Sequence, residues 1–208
     1  MAHKKWIIRQ ADKERASAVS EKFNIDAFVA FLLVSRGITD DADIAAFLSD
    51  SYMLASPFDF VDMEEASFVI GDAIDNGDKI CIYGDYDCDG VTSTALLYSY
   101  LRNEGADVCY YIPSEGYGLN NSAIDKIAAD GVNLIITVDN GISAIEQANH
   151  IYDLGMQLVI TDHHQIGSEL PRAEAIVNPH RPENNLKFRE YCGVGVAFKL
   201  VCAMYDGD

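Results

Sequence analysis

The sequence predicts an α/β protein: an open, doubly wound, mainly parallel β-sheet with helices on both faces, preceded by a small helical N-terminal region. Three observations carry this. From Lys79 onward short apolar runs recur without polar alternation, the pattern of strands buried on both faces. Helical segments separate them, so strand and helix alternate in the order that builds a parallel sheet. Before Lys79 the chain reads as helical.

In the first part, Ile25, Phe28, Val29, Phe31 and Leu32 fall at mixed helical spacing, and Gly37 is a stop. Thr39 stands ahead of Asp40 to Leu48, where a short polar side chain can cap the free amides of a first turn. Asp62 to Asp75 forms a further helix ending at Asn76-Gly77. The strand–helix alternation then begins. KICIY (79–83) precedes a helix over Val91 to Asn103, and DVCYYI (107–112) precedes one over Asn120 to Ala129. NLIITV (133–138) precedes Ile142 to Leu154, and QLVIT (157–161) is the fourth strand. EAIVN (174–178) is a candidate fifth, and GVGVAFKLVCAMY (193–205) a mostly buried helix. The expected regions are therefore 1–78, helical, and 79–208, α/β.

At 208 residues and 49% hydrophobic side chains, the chain can bury one large core. No apolar run approaches the roughly 18 residues needed to span a bilayer, and the basic start, Met1 to Gln10, lacks a signal-peptide core. The expectation is a cytoplasmic protein with no membrane partner. Its five cysteines (Cys81, Cys88, Cys109, Cys192, Cys202) are odd in number and never spaced as CxxC, which fits reduced thiols rather than disulfides or a zinc site. The formal charge of −18 opposes nucleic-acid binding, which normally shows a basic footprint. Two circumstances reconcile the two: some acids are metal ligands, or the basic surface lies elsewhere in a longer protein.

The chemically unusual residues follow predicted strands. Asp85, Asp87 and Asp89 come after the first, Asp139 after the third, and Asp162, His163 and His164 after the fourth. A parallel sheet brings these strand ends to one edge, where ligands of open α/β sheets bind. Converging carboxylates repel unless cations sit among them. Oxygen ligands favour Mg²⁺ or Mn²⁺, and imidazole moves the balance toward Mn²⁺. Two such ions about 3.5–4 Å apart are a standard device for phosphoester hydrolysis. Each motif alone has a plainer reading. Asp139-Asn140-Gly141 could be a turn, the histidine pair could cap a strand, and the DxDxDG loop could bind Ca²⁺, although position 96 is Leu96 and no Glu closes an EF-hand. Their joint placement at successive strand ends favours a site.

These residues also carry a resemblance. YGDYDCDGVTSTALL (83–97), TVDNGIS (137–143) and TDHHQ (161–165) resemble the first three motifs of RecJ-type single-strand-specific exonucleases of the DHH phosphoesterase superfamily. SRGI (35–38), AAFLSDS (45–51), DMEEASFVIGDAI (62–74), EGYGLN (115–120), VNPHRPE (177–183) and CGVGVAFKL (192–200) are similar to the same family. The resemblance implies a two-metal 5′→3′ exonuclease acting on single-stranded DNA in repair and recombination, with Mn²⁺ or Mg²⁺ as cofactor. It makes Asp87, Asp89, Asp139 and His163 metal ligands, with Asp139 bridging both ions and Asp85 a ligand or its hydrogen-bonded support. His164 would face the scissile phosphate, and Asp162 would orient a histidine. It further implies a single-strand-binding protein and a RecQ-type helicase as partners.

Gly90 and Thr92 open a helix beneath the first motif, where the amides and Thr92 could meet an anion. Arg172, His180, Arg181, Lys187 and Arg189 form a cationic stretch with two readings: Arg181 and Arg189 track a DNA strand, or the loop is merely solvated. Lys199, in an apolar helix, is expected to snorkel. The family continues with a further Asp-bearing motif, a DHH-associated domain and an OB-type domain. None is present before Asp208, so 79–208 is expected to be an incomplete phosphoesterase domain of low activity by itself. The segment 110–120 is shorter than the family's form and lacks a basic residue between its Pro and Glu. Two other functions fit the motifs. One is a small-substrate phosphodiesterase for cyclic dinucleotides or short oligonucleotides, whose relatives carry His where this chain has Tyr83. The other is a non-catalytic module of the same fold.

Overall fold

The computed structural model describes residues 12–49, 54–114 and 118–206. The basic start Met1 to Gln10, the last two residues of AAFLSDS and the first three of EGYGLN lie outside the described residues. The chain divides into two compact units at Leu54/Ala55.

The first unit holds α1 (Lys13–Phe23), α2 (Ala27–Ser35) and α3 (Asp41–Leu48), packed around Val19, Ala30, Leu33 and Ile44. Each begins at an aspartate whose side chain accepts a backbone amide: Asp12, Asp26 and Asp40. The cap of α3 is thus Asp40 rather than the expected Thr39, because its carboxylate is the group that reaches the Ala42 amide, at 2.9 Å. Gly37, at φ 85°, ends the turn after α2 as expected.

In the second unit, α4 (Met63–Asn76), closed by Gly77 in the left-handed region, precedes the sheet. The strands are β1 (Ile80–Tyr83), β2 (Val108–Tyr111), β3 (Leu134–Val138), β4 (Gln157–Thr161) and β5 (Ala175–Val177). All pair in parallel, in the order β2-β1-β3-β4-β5. The intervening helices are α5 (Cys88–Asn103), α6 (Asn121–Ala129) and α7 (Ile145–Asp153), and α8 (Gly193–Asp206) follows β5.

The period-two alternation of strand side chains sorts the core into two layers. Ile80, Ile82, Leu134, Ile136, Val138 and Val159 join residues of α4, α5 and α8. Cys81, Tyr83, Ile135, Leu158 and Ile160 join residues of α6 and α7. This is the expected sheet, covered on both faces. Within the second unit, α4 buries Met63, Ala66, Val69, Ile70 and Ala73 in the sheet's own core. Among the described residues, no helix is long and apolar enough to cross a membrane.

This strand order reverses direction between β1 and β3, and ligands of such folds bind beyond the carboxyl ends at that switch point. The register pairs Tyr83 with Thr137 and Thr137 with Ile160, so the loops after β1, β3 and β4 leave the sheet side by side.

Candidate metal centre

The loop after β1 needs two glycines. A Cβ on Gly84 would lie 2.1 Å from Thr94 Oγ1, and one on Gly90 would lie 2.5 Å from the Asp85 carbonyl oxygen. Without them the first turn of α5 could not press against the loop. That turn begins three residues earlier than expected, at Cys88, because Asp87 caps it by accepting the Gly90 amide at 3.0 Å. Asp85 is fully buried beneath the loop; one carboxylate oxygen accepts the Tyr86 amide at 2.7 Å, and Oδ2 has no hydrogen-bond partner. Burial, and then the charge of Asp87, push its carboxyl above the usual range.

Asp139, immediately after β3, takes left-handed backbone at φ 63°, a conformation that Asp tolerates better than most residues. The residue is 2% exposed. Burial, followed by the charges of Asp89 and Asp87, pushes its carboxyl up to about 7. Gly141 is required behind it, since at φ 110° a Cβ would meet Thr137 Oγ1 at 2.7 Å.

Asp162 organises the loop after β4. Its Oδ1 accepts the His163 amide at 2.7 Å, the His164 amide at 3.1 Å and His164 Nδ1 at 2.7 Å, while Oδ2 accepts the Ile142 amide at 2.9 Å. Burial works against this carboxylate, yet the hydrogen bonds from His164 and the two amides outweigh it and hold its pKa below the usual value. In return the Asp162 hydrogen bond raises His164 to about 8. A cleft of about 420 Å³ opens beside His164, lined also by Leu119, Ile142, Gln147 and Gln165.

His163 donates from Nδ1 to the Tyr191 carbonyl at 2.9 Å, so a neutral ring carries its lone pair at Nε2. Nε2 lies 2.9 Å from Asp139 Oδ1, which makes no hydrogen bond, and 3.6 Å from Asp89 Oδ2. Two lone-pair-bearing atoms at that separation repel unless a cation, either a ring proton or a metal ion, joins them. Asp139, His163 and His164 have ligand atoms within 4.8 Å of one another. Carboxylates with imidazole fit a divalent cation of the Mn²⁺ or Mg²⁺ type, and the orphaned oxygens of Asp85 and Asp139 fit it too.

The expected residues that converge are Asp85, Asp87, Asp89, Asp139, Asp162, His163 and His164. Asp89 has a partner that the sequence did not reveal: its two oxygens accept the amides of Gly193 and Val194, at the start of α8. Asn178 was likewise missed. It is fully buried and donates to the His164 carbonyl at 3.0 Å, supporting the histidine loop from β5.

Three expected substrate contacts make hydrogen bonds within the protein. Thr92 turns its hydroxyl back onto the Cys88 carbonyl at 2.7 Å, satisfying its donor within the helix. Arg181 binds Asp62 and the Ile176 carbonyl, and Arg189 donates to the carbonyls of Pro179, Arg181 and Asn184. Both guanidiniums thereby tie down the loop after β5, while Arg181 Nε makes no hydrogen bond. Lys199 does not snorkel; it is 3% exposed and donates to the Ala55 carbonyl.

Residues 79–208 match the DHH family, N-terminal domain. The chain belongs to the DHH family. Within it, the chain is 43% identical over 207 residues to the single-stranded-DNA-specific exonuclease RecJ of Bacillus subtilis, covering 96% of this chain and 26% of that protein. To the same enzyme of Escherichia coli it is 41% identical over 146 residues, 68% of this chain and 25% of that one. Among solved structures it is similar to RecJ in complex with Mn²⁺ from Thermus thermophilus, with a TM-score of 0.74 and 26% identity over 96% of this chain and 28% of that chain. The chain thus spans about a quarter of the length of these DHH-family relatives.

Proposed function

We propose that this DHH domain is the metal-binding catalytic part of a single-strand-specific 5′→3′ DNA exonuclease that binds two Mn²⁺ or Mg²⁺ ions and releases 5′-mononucleotides. The observation that carries the reading is the meeting of His163 Nε2 and Asp139 Oδ1 at 2.9 Å, inside a ring of carboxylates from three strand ends. The similarity to RecJ proteins, one of them a Mn²⁺ complex, supports the substrate class and the metal. Repair and recombination, partnership with a single-strand-binding protein and a RecQ-type helicase, and a cytoplasmic location belong to the same reading.

Asp87, Asp89, Asp139 and His163 would hold the ions, with Asp85 buried behind them. Bound ions would supply Lewis acidity and lower the pKa of an attacking water. The protein's own residues then do the positioning. Asp139 stands between the β1 and β4 loops, where it can face both ions. Asp162 holds His164 through Nδ1, so that Nε2 can meet a nonbridging phosphate oxygen. The cleft beside His164 gives the terminal nucleotide room. A water oxygen bonds to phosphorus and gives up one proton, the phosphodiester P–O bond breaks, and the departing oxygen takes up one proton in exchange.

The test is calorimetry with Mn²⁺, paired with release of labelled mononucleotide from 5′-labelled single-stranded DNA. Mn²⁺ binding, together with metal-dependent release that duplex DNA does not support, is the expected result. Absence of binding at millimolar Mn²⁺ would overturn the assignment.

A further inference from the structure

The segment that opens α8 touches three groups assigned to the metal centre, each from a different loop. Gly193 and Val194 donate their amides to Asp89 Oδ2 and Oδ1 at 2.6 and 2.8 Å. The Tyr191 carbonyl accepts His163 Nδ1 at 2.9 Å. Gly193 also packs against Asp139 so closely that a Cβ there would lie 2.4 Å from Oδ1 and 2.7 Å from Cγ. Asp139 is itself 2% exposed, with Oδ1 lacking any hydrogen-bond donor.

Each contact removes a freedom that a ligand would otherwise lose on binding an ion. Asp89 lies in the first turn of α5, where a carboxylate rotates easily. Two amides fix its plane and leave a lone pair on each oxygen. The positive end of the α8 dipole favours this charge. The Tyr191 carbonyl selects the Nδ1–H tautomer of His163, which turns the Nε2 lone pair toward Asp139. Only a residue without Cβ lets α8 come near enough to make these contacts.

We propose that Tyr191 to Val194 is the positioning element of the metal centre, with Gly193 as its critical residue, holding Asp89, Asp139 and His163 ready for a divalent cation. The inference rests on the metal-binding reading above. Its roles are positional, since no atom of the segment need touch the ion.

The experiment uses the 208-residue chain and Mn²⁺ calorimetry on wild type, Gly193→Ala and Gly195→Ala. Gly195 lies in the same helix, but a Cβ there would meet nothing nearer than 3.4 Å. Gly193→Ala should weaken Mn²⁺ binding about tenfold or more, the usual cost of disturbing what orients a ligand, and Gly195→Ala should bind as wild type. In metal-free protein, ¹⁵N spectra should show His163 protonated at Nδ1 in wild type and shifted toward the Nε2–H tautomer in Gly193→Ala. If wild type binds no Mn²⁺, the metal reading fails and the inference with it. If wild type binds and Gly193→Ala binds equally well, the inference alone is overturned, even where the melting temperature falls. Should Gly193→Ala not fold, Val194→Pro decides. It deletes one amide facing Asp89 in a first helical turn that tolerates proline, and unchanged affinity there overturns the proposal.

Discussion

Asp162 Oδ1 and His164 Nδ1 lie 2.7 Å apart, in a hydrogen bond that shields the carboxylate and orients the imidazole together. The same carboxylate accepts three backbone amides, and it is 1% exposed. Asp162→Ala would leave these donors unsatisfied in the interior. We expect a loss of about 2–4 kcal/mol, the range for breaking a buried hydrogen-bond network. Urea unfolding at unchanged m-value measures it. A loss below about 0.5 kcal/mol, the scale of ordinary surface substitutions, would contradict the structural role.

The two histidines should separate in their effects. His163→Ala removes the nitrogen that faces Asp139, so Mn²⁺ affinity should fall by about tenfold or more. His164→Ala should leave Mn²⁺ affinity nearly unchanged and lower the rate of DNA hydrolysis, by about 10²–10⁴-fold if it acts as a proton donor or charge partner. The ligand atoms of both residues lie within 4.8 Å of Asp139, so the outcome is not trivial. Equal loss of affinity in the two variants would make His164 a ligand as well.

Much of this was legible in the sequence because a parallel sheet writes itself as unbroken apolar runs, and its ligand edge as polar residues just after them. Asp85 to Asp89, Asp139 and Asp162 to His164 meet that description in the sequence itself. What was hidden lies in contacts between distant segments. Nothing local marks Gly193 as the residue against Asp139, or Asp62 as the partner of Arg181. Arg181 and Arg189 read as a cationic strip, since composition shows charge and not its hydrogen-bond partners. The assignment of α4 likewise depended on what its apolar face covers.

Arg181→Ala tests whether this arginine holds the loop or meets the DNA. The guanidinium is 12% exposed and joined to Asp62, whose backbone is left-handed at φ 62°. Breaking a partly buried pair should cost about 1–3 kcal/mol of stability, less than for a fully buried one because Asp62 keeps some contact with water. Mn²⁺ affinity should stay the same. So should single-stranded DNA affinity, measured by low-salt anisotropy. A selective fall in DNA affinity with unchanged stability would restore Arg181 to the substrate path.

Asp139→Asn should trade metal binding for stability. Alanine is a poor probe here, because φ 63° costs it roughly 1–2 kcal/mol, whereas asparagine, whose short polar side chain can hydrogen-bond locally, adopts that conformation more readily. The carboxylate is disfavoured by burial and by the charges of Asp89 and Asp87. Neutralising it while keeping its shape removes that repulsion. Above neutral pH and without metal, the variant should therefore melt a few degrees higher than wild type, equivalent to about 0.5–2 kcal/mol. Excess Mn²⁺ should then stabilise wild type by mass action and the variant little or not at all. The two effects have opposite signs, which separates this account from simple damage: a general folding defect lowers both melting temperatures. If Asp139→Asn melted lower than wild type in metal-free buffer and still gained from Mn²⁺, Asp139 would be a structural residue and not the shared ligand of the centre.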